Sequence, residues 1–73
     1  MAQAWAKYKI RRNVIEDIRT RITNRKMAEI IGIDEGYVSQ IMHGRKATKV
    51  IAYAMCKAIS PMLEIQDLFT EEE

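Results

Sequence analysis

Gln40 is the side chain in this sequence with the most to offer a partner. Its amide donates and accepts at once, the pattern that adenine presents at N6 and N7 in the major groove of DNA. Glu35, Gly36, Tyr37, Ser39 and His43 lie around it, while Val38 and Ile41 are apolar and spaced by three. A helix from Glu35 to about His43 buries the two aliphatics and turns the polar set outward, where its N-terminal half can meet base edges. Ser39 suits either a base or a phosphate. Glu35 has two uses, accepting from cytosine N4 or complementing the positive end of its own helix. Tyr37 also has two: contact with a thymine methyl or a phosphate, or packing across a helix pair. Gly36 adds backbone only.

Grip on a phosphate backbone calls for cations and helix N-termini. Asn24, Arg25 and Lys26 open the preceding helix, where free N–H groups and the dipole favour an anion. Arg45 and Lys46 follow the helix that carries Gln40 and can hold the backbone on the other side, and His43 can bond a phosphate. The formal net charge is only +2, but its distribution is uneven. Eight Lys and Arg against two acids lie between Met1 and Lys26, four cations stand unopposed from Arg45 to Ala58, and five acids collect from Glu64 to Glu73. This segregation fits one face that attracts phosphates; a solvated charged surface with an acidic tail is the plainer account. The Lys7 to Arg12 segment is either an arm that reaches along a duplex or the wet face of a first helix.

The elements that must position these residues read as helices. Ile10, Val14, Ile15, Ile18 and Ile22 form a stripe at spacings of three and four within Ala2 to Ile22. Thr23 or Asn24 caps a second helix whose apolar side is Met27, Ala28, Ile30 and Ile31. Gly32 ends it in a left-handed turn, Ile33 packs inward, and Asp34 caps the third helix. Gly44 stops that helix before the basic loop Arg45-Lys46-Ala47. Thr48 caps a fourth helix reaching Ala58 or Ile59, with Val50, Ile51, Ala54, Met55 and Ala58 inward. Ser60-Pro61 breaks the chain, and a fifth helix over Leu63 to Phe69 closes the core. No strand-like alternation persists. The expectation is therefore an all-α domain of five short helices over residues 1–73, with a basic segment at 1–12 and an acidic tail at 70–73 free of packing duty.

Several classes of function find no residues to serve them. No Ser-His-Asp or Cys-His pair has a plausible spacing and no glycine loop cradles a phosphate, so the sequence does not read as an enzyme. One His and one Cys make no zinc site, and neither a metal nor another cofactor is expected. Cys56 reads as a small buried hydrophobe, with a reactive thiol as the alternative. No apolar run approaches a membrane span or a signal peptide, which points to the cytoplasm and to no membrane partner.

The string from Thr23 to Gly44, with Ala28, Gly32, Ile33, Val38 and Ile41 at their spacings, resembles the phage repressor and Cro type of helix-turn-helix domain. The loop Gly44-Arg45-Lys46-Ala47-Thr48 and the closing Asp67-Leu68-Phe69 are similar to that family as well, so the resemblance spans about Val14 to Phe69. There are departures. Asn24 stands where the family usually has a phosphate-binding Gln, Met42 where an acid often pairs with an Arg of the first helix, Gly36 where a base-contacting side chain is normal, and Ala47 where proline is common. The resemblance implies a lambda-repressor-like fold and a sequence-specific DNA-binding regulator of transcription. Such a protein acts as a homodimer on a double-stranded operator; in this sequence Met62, Ile65 and Phe69 are the candidate seam, with closure of the core as their simpler use. Two rivals keep the fold and change the partner: a modulator that binds a cognate phage repressor, and the antitoxin of a toxin pair.

Overall fold

The computed structural model describes residues 6–72. In chain order they form β1 (Ala6–Ile10), a 3-10 turn (Arg12–Val14), α1 (Ile15–Arg21), α2 (Asn24–Ile31), α3 (Glu35–Met42), β2 (Ala47–Thr48), α4 (Lys49–Ile59), α5 (Ile65–Leu68) and β3 (Phe69–Glu71). The expected all-α class is thereby corrected to a mixed α/β fold, because the three strands form one antiparallel sheet in the order β2-β1-β3.

The sheet joins the segments that looked free of packing duty. β1 pairs Tyr8 with Glu71, Lys9 with Thr70 and Ile10 with Phe69, and on its other edge Ala6 with Thr48 and Tyr8 with Ala47. Ile10, Ala47 and Phe69 enter the core, while Lys9 faces solvent, so a period of two does operate over these few residues. Opposite charge helps align the strands, with Lys7 Nζ 2.7 Å from Glu71 Oε2. An arm reading of Lys7 to Ile10 is thus excluded, since β1 is the central strand. The Met1–Trp5 part of that basic segment, including Trp5, lies outside the described residues.

Extended backbone at Arg11, whose N–H donates to the Leu68 carbonyl at 2.8 Å, separates Ile10 from the helix that follows. The stripe from Ile10 to Ile22 is therefore split between strand and helix, with Ile18 fully buried and Val14, Ile15 and Ile22 packed at the margin. In α4 the inward face is Ala52, Met55 and Cys56, and Val50, expected inward, is 75% exposed. Nearly every position of that helix is apolar, so its own sequence does not choose a face; packing against α2 and the sheet does. The fifth helix is a single turn, and Phe69 leaves it to join β3. Ile18, Met27, Val38, Ile41, Met42, Met55, Cys56 and Phe69 make the center of the core. No helix of the described residues is long and apolar enough to cross a membrane.

Candidate nucleic-acid interface

α2 and α3 pack on each other across the turn formed by Gly32, Ile33 and Asp34, and each end of this unit is capped by its own sequence. Thr23 Oγ1 accepts from the Lys26 N–H at 3.0 Å, so the second helix starts at Asn24. Gly32 takes φ +88°, and the N–H groups of Gly32 and Ile33 converge on the Ala28 carbonyl at 2.8 and 3.1 Å. Asp34 then caps α3 by accepting from the Gly36 N–H at 2.8 Å. A Cβ at residue 36 would lie 2.8 Å from that carboxylate oxygen, so the missing side chain lets the cap close. Val38, Ile41 and Met42 anchor the inner face of α3, and Met42 is fully buried.

The C-terminal end of α3 does more than stop a helix. Gly44, at φ +112°, donates to the Ile41 carbonyl, and the Arg45 N–H donates back to the Gln40 carbonyl, both at 3.0 Å. This is the Schellman closure, with glycine at the left-handed position, and it turns the residue after the glycine back over the helix. Arg45 Nη1 accordingly donates to Gln40 Oε1, and the guanidinium carbon stands 4.8 Å from the center of the Tyr37 ring. Tyr37, half-buried against the core, and the exposed Gln40 and Arg45 form one cluster in which an aromatic face and an amide oxygen hold a guanidinium. The amide oxygen that would read adenine is occupied, and Gln40 keeps its two N–H donors for a partner.

The other expected residues are more dispersed. Glu35 is exposed in the first turn of α3, and Ser39 is half-buried. His43 Nδ1 lies 2.8 Å from the Ser39 carbonyl; a carbonyl only accepts, so Nδ1 carries a proton and Nε2 faces outward. At the start of α2, Asn24 is half-buried, Lys26 is exposed, and Arg25 reaches Glu29 at 3.6 Å one turn along. Lys46 is exposed beside Arg45. Sequence reasoning placed Arg45 with the phosphate grips; its contacts are with Gln40 and Tyr37, two of the residues expected to meet bases. Gly44 was the available signal, since a left-handed glycine after a helix closes the next residue back onto the one five earlier, here Arg45 onto Gln40.

Part of the basic excess is spent within the fold. Arg11 Nε donates to the Gln66 carbonyl, Arg21 pairs with Asp17 and Lys7 with Glu71. Cys56 is fully buried, with Sγ 3.4 Å from the Glu64 carbonyl, and its thiol is pushed up to about 11, mainly by burial and further by Asp67, with Lys57 opposing. A thiol so placed stays protonated and unreactive at neutral pH. Phe69, one of the three seam candidates, is core, whereas Met62 is 84% exposed and Ile65 half-buried. Compared with known proteins, the chain matches no family model, no curated protein and no solved structure.

Proposed function

We propose that this chain is a sequence-specific DNA-binding regulator of transcription that lays α3 in the major groove. The observation that carries the reading is the Tyr37–Gln40–Arg45 cluster, a guanidinium fixed on an exposed helix end by a ring and an amide. A fixed guanidinium fork matches O6 and N7 of guanine, the commonest specific contact in the major groove. Arg45 is accordingly the principal reader, Gln40 and Tyr37 hold it, and the Gln40 amide donors, Ser39 and Glu35 reach neighbouring bases. Gly36 allows close backbone approach. The free N–H groups of Asn24 and Arg25, with Lys26 and Lys46, take phosphates; Nε2 of His43 joins them only in the doubly protonated imidazolium, because the Nδ1 proton is committed to the Ser39 carbonyl. Two copies on half-sites one helical turn apart would multiply selectivity, and the cytoplasm is the compartment that such a role requires.

Selection of bound duplexes from a random pool tests this directly. The expected result is a motif containing guanine whose preference disappears in Arg45→Ala. With about six phosphates engaged, affinity should fall by roughly three decades over a fourfold rise in salt. Absence of saturable duplex binding at low salt would sink the proposal. One observation favours a modulator that acts by protein contact: Val50 and Tyr53, one turn apart on α4, are 75% and 54% exposed. That reading predicts duplex retardation only when a partner protein is present.

A further inference from the structure

A second polar site lies between β1, the first helical turns and the end of α3. It is an open cleft of about 610 Å³, within the size range of small-ligand sites. Its floor is apolar, made by the buried Ile10 and Met42 with the half-buried Ile15. Its rim is cationic, with Lys9 from β1, Arg12 from the 3-10 turn and Arg19 from α1, beside His43. Arg12, Ile15, Glu16 and Arg19 share a lining because spacings of three and four put them on one helical face. Lys9 crosses from the strand, its Cε close enough to Gly44 that a Cβ there would touch it at 3.6 Å.

Unlike Lys7, Arg11, Arg21 and Arg25, none of these three rim cations has a side-chain hydrogen bond or ion pair among the described residues. Glu16, the one acid in the lining, is likewise unpaired. Three cations against one carboxylate leave a surplus of two positive charges over an apolar floor. That combination suits a dianion with a flat organic body and at least one hydrogen-bond donor.

We infer that this cleft binds a phosphate monoester of mononucleotide size. The phosphate lies between Arg12, Arg19 and Lys9, where charge-assisted and forked N–H donors match its oxygens. The planar body rests chiefly on the half-buried Ile15, with the buried Ile10 and Met42 beneath it. Glu16 accepts from a hydroxyl or amino group of that body. The site does not depend on duplex recognition. Its contact with His43 and Gly44 places a bound ligand directly behind the loop that aims Arg45.

The test is a two-dimensional NMR titration of the whole chain with adenosine 5′-monophosphate, inorganic phosphate and adenosine. Expected with the nucleotide are saturable shifts at the amides of Arg12, Glu16 and Gly44 and at the methyls of Ile10, Ile15 and Met42. Phosphate or adenosine alone should bind at least about tenfold more weakly. Arg12→Gln with Arg19→Gln should weaken the nucleotide by at least about tenfold, with helicity retained, while Lys46→Gln leaves it unchanged. If the double variant loses helicity, Arg19→Gln alone is read in the same way. Unsaturable shifts, equal effects of Lys46→Gln, or nucleotide and phosphate binding alike would overturn the inference. So would a cleft perturbed by a short duplex but not by the nucleotide, which would assign the cations to the DNA backbone.

Discussion

Arg45 is held by two neighbours of different chemistry, and the consequence is that its contribution cannot be separated from theirs. Arg45→Ala and Gln40→Ala should each reduce discrimination at one base pair, and the double variant should cost less than the sum. A coupling of about 0.5–3 kcal/mol in a double-mutant cycle, from competition between base-substituted duplexes, is expected; additivity would show that the pair does not act together. Arg45→Lys should fail to restore the preference, since an ammonium lacks the planar fork. Cys56 supports a prediction of a different kind. With its folded pKa raised to about 11, above the ordinary value near 9, the folded state retains a proton that the unfolded chain releases. The stabilisation is whole below about pH 9 and is lost as pH rises toward 11. Urea unfolding across that window should show a steeper loss for the parent than for Cys56→Ala, whatever their absolute difference.

The helix-turn-helix unit is built from local devices, which is why its limits are legible from residue types alone. Thr23, Asp34 and Thr48 each cap the helix that follows through a side-chain oxygen, and Gly32 and Gly44 each end a helix at positive φ. All of these contacts span five residues or fewer. Gly32→Ala meets no atom within 4 Å, so its penalty is conformational alone, about 1–2 kcal/mol in urea unfolding. Thr23→Ala should cost about 1 kcal/mol by leaving the Lys26 N–H without its cap. The register of α4 was not legible, because a helix reading Val-Ile-Ala-Tyr-Ala-Met-Cys carries apolar side chains almost all round. Its neighbours chose Ala52, Met55 and Cys56 and left Val50 and Tyr53 outside.

For the molecule as a whole, the sheet makes Ala6–Ile10 and Phe69–Glu71 structural. Phe69 is 1% exposed and lies in the strand that pairs with β1. A chain ending at Leu68 should lose about 3–5 kcal/mol from the Phe69 side chain alone, most of the stability that so small a core can hold. Far-ultraviolet circular dichroism at 25 °C should find it largely unfolded, whereas a chain ending at Glu71, which keeps β3, should retain its transition. Equal stability of the two truncations would contradict the sheet and restore a dispensable acidic tail. Around the same sheet Lys7 is matched by Glu71 across the strands and Arg11 donates to the Gln66 carbonyl of α5. Three of the remaining cations, Lys9, Arg12 and Arg19, line one cleft.

Residue types and their spacing were enough to place two capped helices around Gly32, to assign Val38 and Ile41 inward, and to bury Cys56. The first two rest on hydrogen bonds within five residues or on one helical period, and the third on the apolar character of a lone cysteine. They could not reveal β1, because a strand of five residues becomes one only against Ala47–Thr48 and Phe69–Glu71, some forty and sixty residues further on. Nor could they give Lys9 its place beside Arg12 and Arg19. That needs a strand and a helix brought side by side, whereas Arg45 reaches Tyr37 and Gln40 through the local reversal at Gly44. Local chemistry decides where helices begin and end; which distant segments share a sheet or a cleft is decided only when the whole chain has closed around its core.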